Sequence, residues 1–302
     1  VGFMRVYKKV NELIGNTPII QLEKFGANLF AKCEFLNPSH SIKDRAAFAM
    51  IQSALDEGKI DSKTVIVEAT SGNTGIALAM ICADLGLQFV ATMPESMSIE
   101  RRKMITLFGA QLELTPASLG MKGAVDKANE ILKNTPNSFM PSQFDNLANK
   151  NAHRRTTALE ILKDLDNDLD IFVAGFGTGG TISGVGEILK EKLGKIHVVA
   201  VEPLASPLLS KGEAGSHKIQ GIGANFIPAI LNKDVIDEII TVSNEDAINT
   251  AKELAKNGLM VGISSGANVF AASVLAKKFP DKKILTMLND TAERYLSTDL
   301  FA

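Results

Sequence analysis

The chain has few of the residues that build metal centres and covalent cross-links, with two cysteines and four histidines in 302 residues. Cys33 and Cys82 stand alone in apolar contexts, "LFAKCEF" and "LAMICADL". They show neither the paired spacing of a zinc site nor a disulfide framework. No metal site is expected, and free thiols fit a reducing, cytoplasmic compartment. Positive charge is not in excess either: 32 Lys and Arg against 34 Asp and Glu leave a net charge of -2. A nucleic-acid binder would carry a basic face. The run Arg101 to Lys103 lies in a mixed helical pattern and reads as a solvated face. No apolar run approaches the roughly 20 residues of a membrane span. The N-terminus has no apolar signal core. Low-complexity tracts and short repeats are absent. What remains, 45% hydrophobic and 22% charged residues, describes a soluble globular chain long enough for two domains.

The pattern along the chain is an alternation. Thr17 to Phe35 reads as a hairpin of two apolar runs around Gly26-Ala27-Asn28. Strands are expected at 64–69, 88–93, 110–115, 170–175, 196–202, 238–242, 259–263 and 283–288, with amphipathic helices between most of them. Gly86, Gly194 and Gly258 fall where helices should end. Strand-helix alternation implies an α/β protein with parallel sheets covered by helices on both faces. The polar, Asn-rich stretch 141–153 interrupts the alternation and reads as the crossing between two α/β lobes. Ligands of open α/β sheets bind beyond the carboxyl ends of strands, so the strand-to-helix loops carry the functional reading.

Three such loops stand out. "EATSGNTGIALA" runs from a strand through Thr70-Ser71-Gly72-Asn73-Thr74-Gly75 into a helix, and suits a carboxylate or a phosphate. "VAGFGTGGTISG" places Gly175, Gly177, Gly179 and Gly180 at a second helix start, where backbone N–H groups can approach a phosphate. No Gly-Lys-Ser/Thr follows, so it is not a P-loop. The third, "MVGISSGANVF", carries Ser264 and Ser265, which alone read as helix caps. One further position is odd. In "NPSHSIKDRAA", Ser41 reads as an N-cap with Asp44 completing a capping-box-like pattern. Lys43 then sits in the first helical turn, where a cation is disfavoured. Two anion loops plus a helix-start amine suggest an amino-acid enzyme that uses pyridoxal phosphate, with Lys43 as its Schiff-base lysine. A nicotinamide dinucleotide site is the competing reading. Gly175, Gly177 and Gly180 satisfy G-x-G-x-x-G, and Glu202 ends the next strand where a ribose-binding acid would lie.

"NELIGNTPIIQL", "NPSHSIKDR", "EATSGNTG", "PESMSIERR", "FGTGGTISG", "HKIQGIGANFIP", "GISSGA" and "ERYLST" occur in that order over nearly the whole chain. In this combination the sequence resembles the cysteine synthases (O-acetylserine sulfhydrylases), in the fold-type II, tryptophan-synthase-β-like family of pyridoxal phosphate enzymes. The resemblance implies two doubly wound α/β lobes, a smaller movable one over 36–147 and a larger one over 1–35 plus 148–302. It implies pyridoxal 5′-phosphate on Lys43, with its phosphate on Gly177, Thr178, Gly179, Gly180 and Thr181. Asn73 would meet the ring's 3′-oxygen and Ser264 the pyridine nitrogen. Thr70, Ser71, Gly72, Thr74 and Gln143 would hold the substrate carboxylate. The implied reaction makes L-cysteine from O-acetyl-L-serine and sulfide through an α-aminoacrylate. The implied partners are a second copy of the chain and the C-terminal tail of a serine acetyltransferase. Cystathionine β-synthase, a dehydratase and a non-catalytic regulatory binder are the alternatives. The sequence departs from the family at "NDTAERY" (Asn289 to Tyr295), which puts Asp290 near the expected pocket. It departs again at "TTALE" (Thr156 to Glu160), and at His40, where many relatives carry glycine or an apolar residue.

Overall fold

Short β-branched and aliphatic runs, separated by glycine and polar clusters, become strands, and the longer amphipathic stretches between them become helices. The computed structural model describes residues 6–70 and 72–302. Its ten strands in chain order are β1 (Ile19–Gln21), β2 (Leu29–Cys33), β3 (Val65–Ala69), β4 (Gln88–Pro94), β5 (Gln111–Thr115), β6 (Ser138–Phe139), β7 (Ile171–Gly175), β8 (His197–Pro203), β9 (Glu238–Val242) and β10 (Ile284–Leu288). The α-helices are α1 (Lys43–Asp56), α2 (Asn73–Leu85), α3 (Ile99–Leu107), α4 (Gly120–Asn134), α5 (Leu147–Ala152), α6 (Ala158–Asp164), α7 (Gly180–Leu193), α8 (Leu208–Lys211), α9 (Asn244–Lys256) and α10 (Ile263–Lys278). Gly86 and Gly194 stand at the C-caps of α2 and α7, and Gly258 one residue past that of α9.

The chain divides into two compact units. Unit 1 is Val1–Gly15 with Asn37–Pro141, and unit 2 is Asn16–Leu36 with Ser142–Ala302. The described residues 6–15 therefore belong to unit 1, not to the larger lobe that the family resemblance implied for them. The Asp84 carboxylate on α2 holds them, accepting from the backbone N–H groups of Val10 (3.0 Å) and Asn11 (3.2 Å). Gly15 N–H also donates to Asn37 Oδ1 at 2.8 Å.

Unit 1 is built on a four-stranded parallel sheet in the order β5-β4-β3-β6. Alternate residues of β3 enter different cores, as the period of two requires. Ile66 packs with Ile51, Ile76 and Leu78 of α1 and α2, while Val67 and Ala69 pack with Ala124 and Ala128 of α4. Both faces are thus covered. Unit 2 has a six-stranded sheet in the order β1-β2-β10-β7-β8-β9. The hairpin forms as expected, with β1 antiparallel to β2 in the register Ile19 to Lys32, and all other pairs are parallel. The core on one side joins Val173, Val199 and Val201 to Ala267, Ala271 and Leu275 of α10.

One expected strand does not form, and a short helix and a two-residue strand arise where none was expected, while the passage from unit 1 to unit 2 falls inside the stretch 141–153 read as the crossing. Residues 259–263 are not a strand: Val261 makes an isolated bridge to Thr291, and α10 begins at Ile263. Gly262 caps that helix in extended conformation, and its N–H donates to the Asp290 carbonyl at 3.0 Å, which turns the chain before a ladder can grow. The polar stretch 141–153 contains α5, started by Asn146, whose side chain accepts from Ala148 N–H. β6, two residues long and paired with β3, is too short for any periodic pattern to reveal.

Candidate active site

In unit 1, Lys43 is the first residue of α1. The start of this helix is not the expected capping box. Ser41 Oγ does accept from Lys43 N–H (3.2 Å), but Asp44 reaches back to Ser39, accepting from its N–H (2.7 Å) and its hydroxyl. Ile42, at the cap position, already has helical angles. His40 has φ 64°, a left-handed conformation that glycine adopts without strain. Lys43 is half-buried, and removal from water pulls its amine pKa down from 10.5 to about 8.

The first anion loop joins β3 to α2 in the same unit. Thr70 is buried, and its Oγ1 accepts from Gly72 N–H (3.2 Å) and Gly75 N–H (3.0 Å). With both lone pairs engaged, the hydroxyl proton is left to donate. Asn73 and Thr74 open α2, where the macrodipole favours an anion. Ser71 lies outside the described residues. Arg101, expected on a solvated face, is 2% exposed instead. Its guanidinium backs this loop so closely that a Cβ on Gly72 would lie 2.4 Å from Nε.

Unit 2 holds the glycine loop, between β7 and α7. Gly179 caps α7 at φ +83°, a conformation closed to most side chains. A Cβ at Gly177 would meet the Gly221 carbonyl oxygen at 2.5 Å, so backbone lies directly against backbone. Thr178 Oγ1 accepts from Asn149 Nδ2 (3.0 Å) and Gly180 N–H (3.3 Å), and Thr181 Oγ1 lies 3.4 Å from His153 Nε2. His153 opens a π-helical turn, His153–Thr157. Ser264 is not a cap. It lies inside the first turn of α10, and its Oγ accepts from Asn289 Nδ2 at 3.2 Å. Ser265 Oγ accepts from Asn289 N–H.

Two juxtapositions follow within unit 2. Gly221 joins the glycine loop to Ser264, since its own Cβ position lies 3.8 Å from Ser264 Oγ. Asn149 joins the loop to Gln143, whose carbonyl accepts from Asn149 Nδ2 at 2.9 Å. Asn149 and Arg101 are site-bearing residues that the motif reading passed over. The Asn-rich run 146–151 and the doubled arginine were the available signals.

Two other expectations change. Glu202 is buried, and its carboxylate accepts from Leu209 N–H (2.9 Å), Ser210 N–H (3.1 Å) and the Ser210 hydroxyl. It therefore anchors the start of α8 and does not serve as a ribose acid. Asp290 is fully buried, with Oδ2 accepting from Tyr295 Oη at 2.5 Å.

Comparison with known proteins assigns the family. The family profile described as "Pyridoxal-phosphate dependent enzyme" matches residues 10–290. The chain belongs to that family. It is 86% identical over 299 residues to cysteine synthase B of Campylobacter jejuni, covering 99% of this chain and 100% of that protein. Among solved structures, O-ureido-L-serine synthase matches with TM-score 0.95 and 43% identity, over 98% of this chain and 95% of that one. An O-acetylserine dependent cystathionine beta-synthase from Helicobacter pylori matches with TM-score 0.93 and 40% identity, over 99% of this chain and 100% of that one. The chain is thus a fold-type II enzyme with pyridoxal phosphate as its cofactor. Its residues fit that group: a close-packed glycine loop at a helix start for the phosphate, and a weakly basic amine at Lys43 for the aldehyde. Among the described residues no cluster of His, Cys, Asp or Glu could hold a metal, and no helix is long and apolar enough to cross a membrane.

Proposed function

We propose that the enzyme makes L-cysteine from O-acetyl-L-serine and sulfide, by replacing the β-substituent of the amino acid. The observation that carries this reading is the placement of Lys43, half-buried as the first residue of α1, where removal from water lowers the pKa of its amine to about 8. Lowering the pKa raises the fraction of free amine at neutral pH, and it is the free amine that bonds to an aldehyde or takes a proton. The 86% identical cysteine synthase B supports the choice of substrates.

Lys43 would hold the cofactor aldehyde, residues 177–181 its phosphate, Asn73 its 3′-oxygen and Ser264 its ring nitrogen. The bound cofactor supplies an electron sink for the pair left when Cα loses its proton. Ser264 suits a neutral pyridine nitrogen, because its oxygen already accepts from Asn289 and its proton is free to donate. Thr70, Ser71, Gly72, Thr74 and Gln143 fix the substrate carboxylate. The polarity of Thr70, with two amides donating to its oxygen, turns its proton toward an anion.

With the carboxylate fixed, Lys43 as a free amine takes the proton from Cα. The Cβ–O bond breaks and acetate departs with the electron pair. Hydrosulfide then forms the new bond at Cβ, and Lys43 returns a proton to Cα. Atoms balance: O-acetylserine and hydrosulfide give cysteine and acetate. We also place the enzyme in the cytoplasm, as a homodimer able to receive the C-terminal tail of a serine acetyltransferase. The family resemblance supports these three statements.

One second reading has its own support, the similarity to an O-acetylserine dependent cystathionine beta-synthase. It shares the donor and changes the nucleophile. Initial rates with O-acetylserine and either sulfide or homocysteine decide between them. The proposal expects the higher kcat/KM with sulfide. A higher kcat/KM for homocysteine would replace it with the second reading.

A further inference from the structure

Asn149 is 1% exposed, on the short helix α5. Both hydrogens of its side-chain amide are engaged, one by the Gln143 carbonyl at 2.9 Å and one by Thr178 Oγ1 at 3.0 Å. The amide can be placed only one way round, because a carbonyl oxygen cannot donate and Gln143 O needs a donor opposite it. Its own oxygen faces Gly180, where an added Cβ would lie 2.2 Å away. Thr178 Oγ1 receives a second donor, Gly180 N–H, at 3.3 Å. A hydroxyl has two lone pairs and one proton. With two donors aimed at the oxygen, that proton has to point away from both.

We propose that Asn149 is a positioning residue that sets the polarity of the Thr178 hydroxyl, making it an obligate donor to an anion in the glycine loop, and ties that loop to the Gln143 segment. This rests on the reading of residues 177–181 as the phosphate cradle and of Gln143 as a carboxylate ligand. One amide thereby serves two anions. Through Thr178 it holds the cofactor phosphate, and through Gln143 O it holds the strand of chain that meets the amino-acid substrate.

The role depends on donation, not on shape, and this separates the variants. Asn149→Asp keeps the outline but offers two acceptors. It repels the Gln143 carbonyl and captures the Thr178 proton, withdrawing it from the phosphate. Asn149→Ala removes the donor without supplying a competitor. The test prepares holoenzyme of Asn149→Ala, Asn149→Asp, Thr178→Val and the Asn149→Ala/Thr178→Val pair. It measures cofactor retained on dialysis, the phosphorus-31 resonance of the bound phosphate, and kcat and KM for O-acetylserine. Cofactor affinity should fall about tenfold in Asn149→Ala, the effect of one buried hydrogen bond, and further in Asn149→Asp. The phosphorus resonance should shift in both. In the Thr178→Val background, Asn149→Ala should weaken cofactor binding no more, yet still raise KM.

Wild-type retention in Asn149→Asp overturns the proposal, since shape alone would then suffice. So does a full additional loss of cofactor in the double variant. Should Asn149→Asp fail to fold, the comparison of Asn149→Ala with Thr178→Val decides the same question. Loss of cofactor in Thr178→Val, with wild-type retention in Asn149→Ala, sinks the positioning role and leaves the cradle standing. Wild-type retention in Thr178→Val sinks the cradle assignment itself.

Discussion

Replacing Gly177 by alanine tests whether the close approach of two backbones shapes the cofactor cradle. The new Cβ would lie 2.5 Å from the Gly221 carbonyl oxygen. Real Cβ contacts stay above 3.0 Å, and the obstacle is backbone, so the glycine loop has to retreat by at least about 0.5 Å. Forcing such overpacking costs about 1–3 kcal/mol. If the loop moves away from its anion, the cost appears as lost cofactor affinity, roughly 5- to 150-fold in Kd. The control is Gly194→Ala at the other end of α7, where φ is +69° and no atom lies within 4 Å of the new Cβ. Left-handed strain there should cost about 1–2 kcal/mol of stability and leave the cofactor alone. Titrating cofactor into stripped protein, together with thermal melts, separates the two effects. Wild-type affinity in Gly177→Ala, or equal losses of affinity in both variants, would show that backbone crowding does not shape the cradle.

Three further outcomes are expected. Gly72→Ala drives a Cβ to 2.4 Å from Nε of the buried Arg101, so the substrate loop shifts and KM for O-acetylserine should rise about tenfold with cofactor content unchanged, read from steady-state kinetics and absorbance. Asp290→Ser removes the acceptor of the Tyr295 hydroxyl and should lower stability by about 1–3 kcal/mol in denaturant melts, with donor preference unchanged because the carboxylate is fully buried and its Oδ2 is held by Tyr295. In cofactor-free protein the Lys43 amine titrates near 8 folded and 10.5 unfolded. The unfolded chain holds more protons between those values, so stability should rise with pH across that window relative to Lys43→Met, and the difference should be flat below it.

The alternating architecture was legible because parallel strands buried on both faces are continuous apolar runs, as "DIFVAG" and "IHVVAVE" are. The same signal misled at 259–263. There the apolar run ends at Gly262, whose hydrogen bond to the Asp290 carbonyl comes from far along the chain. Lys43 and the two anion loops could be read locally, since a helix start and a glycine cluster declare themselves within a few residues. The partners of Asp44, Glu202 and Ser264 could not. Ser39 and the start of α8 lie only five to eight residues from their partners but in loop geometry that no periodic pattern announces, and Asn289 reaches Ser264 from 25 residues along the chain. Arg101 and Asn149 were hidden too, because their importance lies in the backbone they back, at Gly72 and Gly180. Charge and amide composition suggest surface residues, and only packing reveals a buried one.

The proposed chemistry rests on one amine, that of Lys43, which carries the cofactor and moves the α-proton. Borohydride reduction of the holoenzyme, followed by peptide mass spectrometry to map the fixed pyridoxyl group, probes that amine itself. The group should appear on the peptide containing Lys43, and Lys43→Ala should lose cysteine formation. A pyridoxyl group on any other lysine, or an unlabelled protein that still converts O-acetylserine and sulfide, would contradict the assignment.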